Sequence, residues 1–299
     1  MKKIGFVVHG KLSNHTSLIS ELNNNFSLYS TTIKYTEHAQ HAIELATALC
    51  AEQVDYLIAV GGDGTLNEVI NGVMRSGNTQ IKLGVLPYGS GNDFVKTIHA
   101  PSSVTGLAVL IKNDQYKPID LLHCTFTSPD GNPAKRYCIN ITDVGMGGDI
   151  AEQLNRSNKW LGATLTYQYF IVKTLLTYRP KMIRIKSDEL NYEGSVMNFC
   201  MCNGKYFGSG LGVSPHSLVD DGKMNLVCIG EVSLLDYIKN FAAIKKCEPL
   251  IHPQVFYATA NYIQIDGANE RLPIDLDGEF AGYSPMNVRV LPNALYFLC

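Results

Sequence analysis

The chain has 299 residues, more than a single hydrophobic core usually supports, so two domains are expected. Hydrophobic residues make up 45% of it and charged residues 17%, which is typical of a globular protein with a large core. The net charge of −2 argues against bulk binding of nucleic acid and against a strongly polybasic membrane anchor.

Cysteine spacing and apolar runs indicate the compartment. Eight cysteines are scattered without the spacing of a metal site. The apolar run at the N-terminus stops at His9 and Gly10, too early for the core of a signal peptide. No window of about 18 uninterrupted apolar residues occurs, so no membrane span is predicted. We therefore expect a cytoplasmic protein with free thiols.

Strands and helices alternate over residues 1–119. Short apolar runs predict strands at 4–8, 31–35, 54–60 and 81–86. Apolar positions with a helical period predict helices that begin near residue 18, after Thr36, near Thr65 and near residue 105. Such alternation is typical of a parallel sheet covered by helices on both faces, where ligands bind at the carboxyl ends of the strands.

A glycine-rich turn follows the third predicted strand. Residues 61–64 read Gly-Gly-Asp-Gly, and Thr65 with Glu68 has the spacing of a capping box at a helix start. Glycines let the backbone approach a ligand, and a helix N-terminus favours negative charge. Asp63 would repel a phosphate unless a divalent cation lay between them, so the turn predicts a site for a magnesium-bound nucleotide. A tight turn without a ligand is the alternative.

A second turn of small and polar residues, 89–93, follows the fourth predicted strand. By itself it could simply start a capped helix. Because the carboxyl ends of parallel strands meet at one edge of a sheet, it is expected to lie beside the first turn and to face phosphate.

The pattern changes near residue 119. Apolar or alternating runs predict strands at 136–141, 182–186, 196–202, 224–229, 256–265, 271–276, 288–291 and 295–298. Two helices interrupt them, one over 160–178 and one that Ser233 caps together with Asp236. This is typical of an antiparallel sandwich or barrel. We interpret the glycine-rich segment 145–149 as a turn that packs its backbone closely.

The two turns, 61–69 and 87–94, resemble the diacylglycerol kinase catalytic-domain family, which includes bacterial soluble lipid kinases and, more distantly, sphingosine kinases. Segments 214–224 and 276–279 agree, so the resemblance covers nearly the whole chain. It implies a Rossmann-like, doubly wound parallel sheet of the NAD-kinase and phosphofructokinase type over 1–119. It also implies a β-sandwich lipid-substrate domain over 120–299, with the active site in the cleft between the two.

The resemblance implies a role for each residue of the nucleotide-binding half. Asp63 would lie near the catalytic magnesium, and Asp93 matches an active-site aspartate. Thr36 and Ser90 match nucleotide contacts. The residues implied to line the ATP phosphates are Gly61, Gly62, Asp63, Gly64, Thr65, Leu66 and Asn67.

In the second half, the resemblance implies a proton acceptor and a structural magnesium site. Glu279 matches the carboxylate that takes the proton of the attacking hydroxyl. Asp221, beside Asp220, matches a magnesium ligand that backbone carbonyls near Leu218 and Lys223 assist. Without the family, both segments would be interpreted as plain hairpin turns.

The first strand departs from the family pattern. It is followed by His9-Gly10-Lys11 where relatives usually have Asn-Pro and a small-residue loop. Gly10 and Lys11 still offer a backbone N–H and a cation to a phosphate.

The sequence thus predicts an ATP- and Mg²⁺-dependent lipid kinase of phospholipid biosynthesis. Its substrate would be diacylglycerol or a related lipid, which requires peripheral membrane contact at the mouth of the cleft. No nucleic-acid partner is expected, and a homodimer is one option for the oligomeric state. The alternatives are a kinase of a soluble substrate, as NAD kinases are, and a catalytically weak regulatory protein that binds nucleotide or lipid.

Overall fold

The computed structural model describes residues 1–13, 15–156, 163–268 and 270–299, and the chain forms two compact units. Unit 1 comprises Met1–Asp120 and Asn293–Cys299, and unit 2 comprises Leu121–Pro292. The second domain predicted from the sequence covers all of 120–299. The last residues instead belong to unit 1, because Tyr296 and Phe297 pair in parallel with Lys82 and Leu83.

In its described residues, unit 1 is an α/β layer of five helices and four parallel strands, and residues 296–297 from the end of the chain add a fifth parallel segment beside the fourth strand. Its elements are β1 (Lys3–Val8), α1 (His15–Asn25), β2 (Ser30–Tyr35), α2 (His41–Ala51), β3 (Tyr56–Gly61), α3 (Asp63–Ser76), β4 (Lys82–Pro87), α4 (Asp93–Ile98) and α5 (Val104–Asn113). The strand order is β2-β1-β3-β4, so the chain reverses its direction across the sheet between β1 and β3. That reversal is where open α/β sheets bind ligands.

Unit 2 contains the antiparallel strands. Its elements are β5 (Lys117–Thr127), β6 (Pro133–Cys138), β7 (Ile141–Gly145), α6 (Met146–Arg156), α7 (Ala163–Thr177), β8 (Lys181–Ser187), β9 (Asn191–Val196), β10 (Asn198–Cys202), β11 (Tyr206–Phe207), β12 (Leu211–Gly212), β13 (Met224–Ile229), α8 (Leu234–Lys246), β14 (Val255–Ala260), β15 (Tyr262–Gly267), β16 (Pro273–Leu276) and β17 (Glu279–Phe297). The chain enters unit 2 within β5 and leaves it within β17.

Two strand layers of unit 2 share one apolar core. One layer runs β14-β13-β10-β7-β16, and the other runs β9-β8-β15-β17-β5-β6. The inward side chains of both layers, among them Val144, Ile185 and Ile265, form a single buried cluster. On the outer face of the first layer, α6, α7 and α8 cover a second apolar cluster that includes Ile150, Ile171 and Leu211.

Several predicted elements differ from those found. The segment predicted as one strand over 256–265 is two strands, β14 and β15. The run at 288–291 lies within β17, and the run predicted over 295–298 forms the end of the same strand, which stops at Phe297. The glycine-rich segment 145–149 packs closely, as predicted, but it also contains the start of α6, a helix that is not among the predicted elements. The helix predicted over 160–178 is found as Ala163–Thr177, and Trp160 lies outside the described residues. Ser233 and Asp236 form the predicted capping box.

Among the described residues, no helix has both the length and the apolarity needed to cross a bilayer.

Two carboxyl groups lie side by side inside unit 2. Asp143 on β7 pairs across the strands with Asp275 on β16, and the two residues are 1% and 5% exposed. Burial raises the pKa of Asp143 to about 7. Burial and the neighbouring charge of Asp143 raise the pKa of Asp275 well above its usual range. Since like charges this close oppose ionisation of both, the pair retains a proton near neutral pH.

We expect Asp143→Asn to reduce the loss of stability that the wild type shows as pH rises from about 4 to about 7. The folded-state pKa lies above the unfolded one, so the stabilising contribution is complete below about pH 4 and is lost as pH rises through about 7. Asparagine cannot ionise, so the melting temperature of the variant relative to that of the wild type should be higher at pH 8 than at pH 5. Thermal unfolding of both proteins at pH 5 and at pH 8 measures this effect. A difference in melting temperature between variant and wild type that is the same at both pH values would contradict the prediction.

Candidate functional site

The loops that follow the four parallel strands of unit 1 lie at one edge of its sheet. In chain order they contain Gly10, Thr36, Gly62 and Gly89. The edge is held together by backbone bonds that continue the strand pairing: the His9 N–H donates to the Val60 carbonyl at 2.9 Å, and the Tyr88 N–H donates to the Gly61 carbonyl at 2.8 Å. The predicted convergence of the two glycine turns at this edge is present in the structure.

The two turns touch through their backbones. A Cβ added to Gly89 would lie 2.4 Å from the Gly62 Cα, so no side chain fits at that position without moving the turn. Asn92 has a left-handed backbone with φ of 51°. Its side chain accepts from the Gly89 N–H at 3.1 Å and donates to the Gly89 carbonyl at 2.7 Å. Glycine is therefore required at this contact for steric reasons.

The predicted capping box at Thr65 and Glu68 is wrong. Helix α3 begins at Asp63 with Gly62 as its N-cap, so Thr65 and Glu68 already lie inside the helix. The Glu68 carboxylate instead accepts from the backbone N–H groups of Gln40 at 3.0 Å and Ala42 at 3.1 Å. It thereby caps α2, whose own N-cap residue makes no side-chain hydrogen bond.

Asp63 joins the two turns. Its Oδ2 accepts from the Asp93 N–H at 3.1 Å and its Oδ1 from the Phe94 N–H at 3.3 Å. The carboxylate therefore caps the first turn of α4 across the edge of the sheet. Asp93 is 5% exposed, and its carboxylate pairs with the Lys96 ammonium at 2.9 Å.

The other residues predicted to line phosphates differ in exposure. Leu66 and Asn67 are each 1% exposed, so their side chains do not reach the surface of the edge. Gly61 and Thr65 are also buried, whereas Ser90 is exposed and Gly62 and Gly64 are partly exposed. The accessible part of the first turn is therefore Gly62 to Gly64.

Gly10 and Thr36 form a third contact at the same edge. The Gly10 N–H donates to the Thr36 hydroxyl at 3.0 Å, and a Cβ at Gly10 would lie 1.9 Å from the Thr36 carbonyl oxygen. The Gly10 N–H is thus engaged by the protein, while Lys11 is exposed. In the loop after β1, which differs from the family pattern, the Lys11 ammonium is therefore the group that remains accessible to a phosphate.

Glu279 begins β17 in unit 2 and lies in an ion pair that the sequence did not predict. The Arg136 guanidinium donates to its Oε2 at 2.9 Å, and the two side chains are 25% and 39% exposed. Asp277 and Gly278, with φ of 51° and 87°, make the tight hairpin turn before it. The Asp277 carboxylate accepts from the N–H groups of Ile139 and Asn140, which fixes this turn against the end of β6.

The segment proposed for structural magnesium is an exposed turn. Asp220, Asp221 and Lys223 are exposed, and the Asp221 Oδ1 accepts from the Lys223 N–H at 3.0 Å. Among the described residues, no group of three or more His, Cys, Asp or Glu side chains is placed to hold a metal. A carboxylate with backbone carbonyls is the type of donor that magnesium accepts, since this ion binds hard oxygen ligands and keeps several waters.

An apolar cavity lies beneath the helices of unit 2. It encloses about 880 Å³ of space not filled by atoms, a figure that includes the solvent at its mouth. Its wall comes from α6, α7, α8 and the strands they cover, and includes Ile171, Leu175, Phe207, Tyr237 and Ile244. Asn198 places a polar side chain in this wall.

Comparison with known proteins identifies the family. The diacylglycerol kinase catalytic domain matches residues 9–124, and the YegS C-terminal NAD kinase β-sandwich-like domain matches residues 141–299. The chain belongs to the diacylglycerol kinase catalytic-domain family. The predicted family is thereby confirmed, as is the prediction that the chain is an enzyme of this kinase family.

Individual relatives support this assignment. The chain is 27% identical to a diacylglycerol kinase of Staphylococcus haemolyticus over 87% of its own length and 75% of the relative's. It is also 27% identical to a diacylglycerol kinase of Bacillus subtilis, over 86% of its own length and 82% of that protein's.

Solved structures support the fold. A diacylglycerol kinase from Bacillus anthracis superposes with a TM-score of 0.71 at 21% identity, covering 99% of this chain and 96% of that one. Yeast NADH kinase in complex with NADH superposes with a TM-score of 0.56 at 13% identity, covering 100% of this chain and 83% of that one. The predicted fold class is confirmed.

Proposed function

We propose that this protein is an ATP-dependent lipid kinase that phosphorylates a hydroxyl group of diacylglycerol or a related lipid. The observation that carries the proposal is the contact of two glycine turns through Asp63 at the carboxyl edge of unit 1, in a chain of this family. Its relatives from Staphylococcus haemolyticus and Bacillus subtilis are named diacylglycerol kinases.

The ATP phosphates would bind along this edge. The first turn of α3 presents backbone N–H groups and the positive end of the helix dipole, and its glycines allow a phosphate to approach. Lys11, Thr36 and Ser90 would supply further polar contacts. Asp63 would hold Mg²⁺, and that ion, when bound, neutralises the negative charge of the phosphates.

Glu279 would act as the proton acceptor. The lipid hydroxyl oxygen forms a bond to the γ-phosphorus of ATP as the bond from that phosphorus to the bridging oxygen breaks. The products are a lipid phosphate and ADP. The hydroxyl proton passes to the Glu279 carboxylate, because a neutral alcohol is a weak nucleophile. Arg136 would orient that carboxylate through the ion pair.

The lipid assignment has support of its own in unit 2. The apolar cavity suits an acyl chain better than a nucleotide or a sugar phosphate, because almost all of its lining is hydrocarbon. We further propose that the enzyme is cytoplasmic and contacts membranes peripherally. Asp221 with the neighbouring carbonyls would hold a structural Mg²⁺.

A transfer assay with three acceptor classes tests the proposal. Purified protein receives labelled ATP with diacylglycerol in mixed micelles, with NAD, or with sugar phosphates. We expect label in the micelle lipid only. Transfer to NAD would favour a soluble-substrate kinase, and ATP binding without turnover on any acceptor would favour a regulatory protein. Either result would overturn the proposal.

Arg136→Ala tests the positioning of Glu279. Without the guanidinium, the carboxylate loses its charged hydrogen-bond partner at 2.9 Å. We expect kcat to fall by about 10- to 100-fold while KM for ATP changes little, since a small misplacement of a reacting group has effects of this size. Arg136→Lys, which keeps the charge, should recover part of the rate. A change in KM alone, or no recovery, would contradict the positioning role.

A further inference from the structure

Two neighbouring loops at the carboxyl edge of unit 1 are each closed by a histidine ring. In the loop after β1, the Lys11 N–H donates to the Nδ1 atom of His9 at 3.3 Å. In the loop between β2 and α2, the Glu37 N–H donates at 3.0 Å to the Nδ1 atom of His41, the first residue of α2. Each ring therefore accepts a hydrogen bond from the backbone of the loop that it closes.

The two loops also touch each other. The Gly10 N–H donates to the Thr36 hydroxyl at 3.0 Å. Gly10 lies between His9 and Lys11, and Glu37 directly follows Thr36. The two histidine contacts thus border the point where the loops meet. Lys11 and Thr36 are the residues of these loops that are proposed to contact the ATP phosphates, so the two rings hold the backbone on which those contacts depend.

The hydrogen bonds define the protonation state of both rings. A backbone N–H can donate only to a nitrogen that has a free lone pair, so the Nδ1 atoms of His9 and His41 carry no proton in this arrangement. Histidine is the side chain that ordinarily changes its charge between pH 5 and pH 8. A proton on Nδ1 would place two donors against each other and break the bond that closes the loop.

A second ring makes a charge on His41 still less compatible with the structure. The rings of His38 and His41 are stacked, with their centroids 4.5 Å apart and an angle of 9° between their planes. The Nδ1 atom of His38 lies 3.0 Å from the Ala39 carbonyl oxygen, so it carries a proton and donates to that oxygen. Two charged rings at this distance would repel each other. The loop between β2 and α2 is thus built around a neutral His41.

Other ionisable side chains belong to the elements next to these rings. On the two loops, α1, α2, α3 and the turn after β3, they are Lys11, Glu37, His15, Glu44, Glu68 and Asp63. The Glu68 carboxylate is engaged as the cap of α2, and the Asp63 carboxylate is engaged at the start of α4. These six groups stay the same in the variants described below, so a difference between variants reports the imidazoles of His9 and His41.

We infer that His9 and His41 are positioning residues of the ATP site, which hold its first two loops in place only while their Nδ1 atoms are unprotonated. This role rests on the proposed function, because it concerns the binding of ATP at this edge. His9 stands where the family pattern has asparagine. An asparagine oxygen can accept the same backbone N–H but does not titrate in this range. The histidine therefore keeps the acceptor and adds a dependence on pH.

Equilibrium dialysis of labelled ATP with Mg²⁺, without any lipid, tests the role at pH 8 and at pH 5.5. His9→Asn/His41→Asn should bind ATP as tightly as the wild type at pH 8. Between pH 8 and pH 5.5, the affinity of the wild type should fall about tenfold further than that of this variant, since only the wild type acquires unpaired donors. The comparison removes the effect of protonation of ATP itself, which is the same for both proteins. His9→Ala/His41→Ala should bind about tenfold more weakly than the wild type already at pH 8.

His252→Asn is the matched control. His252 lies in unit 2, and its Nδ1 atom also accepts the backbone N–H of the second residue after it, Gln254, at 3.1 Å. This variant should keep the full pH dependence of ATP binding that the wild type shows. Urea unfolding at both pH values should show that every variant is folded.

Two results would overturn the positioning role. One is an equal change of ATP affinity with pH in the wild type and in His9→Asn/His41→Asn. The other is a long-range ¹H–¹⁵N spectrum that shows a proton on the Nδ1 atom of His9 or His41 at pH 8, a measurement that does not involve ATP. If the wild type bound no ATP at pH 8, the proposed function would fail as well. Normal ATP binding and lipid phosphorylation without the expected difference between the variants would remove only the role of the two histidines.

Discussion

Glu279→Gln is expected to lower the rate of phosphate transfer to lipid by about 10²- to 10⁴-fold, the range that general base catalysis supplies. Glutamine keeps the size of the side chain and an oxygen that can accept from Arg136, whose guanidinium lies 2.9 Å from Glu279. It cannot take up a proton. The unfolding midpoint in urea should therefore remain close to that of the wild type, and KM for ATP should change little because the carboxylate does not bind nucleotide.

Glu270→Gln is the matched control for that variant. Glu270 is also an accessible carboxylate of unit 2 in an ion pair, with its Oε2 2.6 Å from the Lys181 ammonium. Loss of this pair should leave turnover unchanged. If Glu279→Gln retained more than about a tenth of the wild-type kcat, or if the control lost as much, Glu279 would not be the proton acceptor.

Asp63→Asn is expected to abolish most turnover and to weaken unit 1 as well. The substitution removes the charge proposed to hold magnesium, and we expect kcat to fall by at least about 100-fold. The Asp63 carboxylate accepts hydrogen bonds from the backbone N–H groups of Asp93 and Phe94. In the asparagine variant, an amide N–H₂ group would face one of these two donors. A mismatched donor should cost about 1–3 kcal/mol of unfolding free energy. Steady-state kinetics over a range of Mg²⁺ concentration and urea unfolding measure the two effects.

Asp55→Asn separates the catalytic effect from the structural one. Asp55 also accepts a backbone N–H in unit 1, from Lys3 at 2.7 Å, but it precedes β3 and so lies at the opposite edge of the sheet. We expect a loss of stability without a loss of turnover. An Asp63→Asn enzyme with normal turnover would show that Asp63 is only a structural link between the turns.

Local patterns predicted the positions of the two glycine turns. Glycine runs at strand ends depend on backbone conformation over a few residues, and parallel strands bring such turns to one edge. The same local reasoning failed at Glu68. Its spacing from Thr65 fits a capping box, but its carboxylate caps a different helix, at Gln40 and Ala42, a contact that only tertiary structure creates.

Long-range contacts were the main part of the site that could not be predicted. Arg136 and Glu279 are 143 residues apart, and nothing in the sequence near either one indicates the pair. Similarly, the return of Tyr296 and Phe297 to unit 1 depends on a free edge at β4, which strand patterns do not reveal. Helix α6 was missed because Gly147 and Gly148 in its first turn weaken the helical pattern.

Identification of the labelled product tests the central claim most directly. Purified protein is incubated with γ-labelled ATP, Mg²⁺ and a total lipid extract, and labelled species are separated and identified by mass spectrometry. We predict label in a single class of lipid as a phosphate monoester on a former hydroxyl group. Label confined to water-soluble products, or none on any lipid while ATP is bound, would contradict the assignment of a lipid kinase.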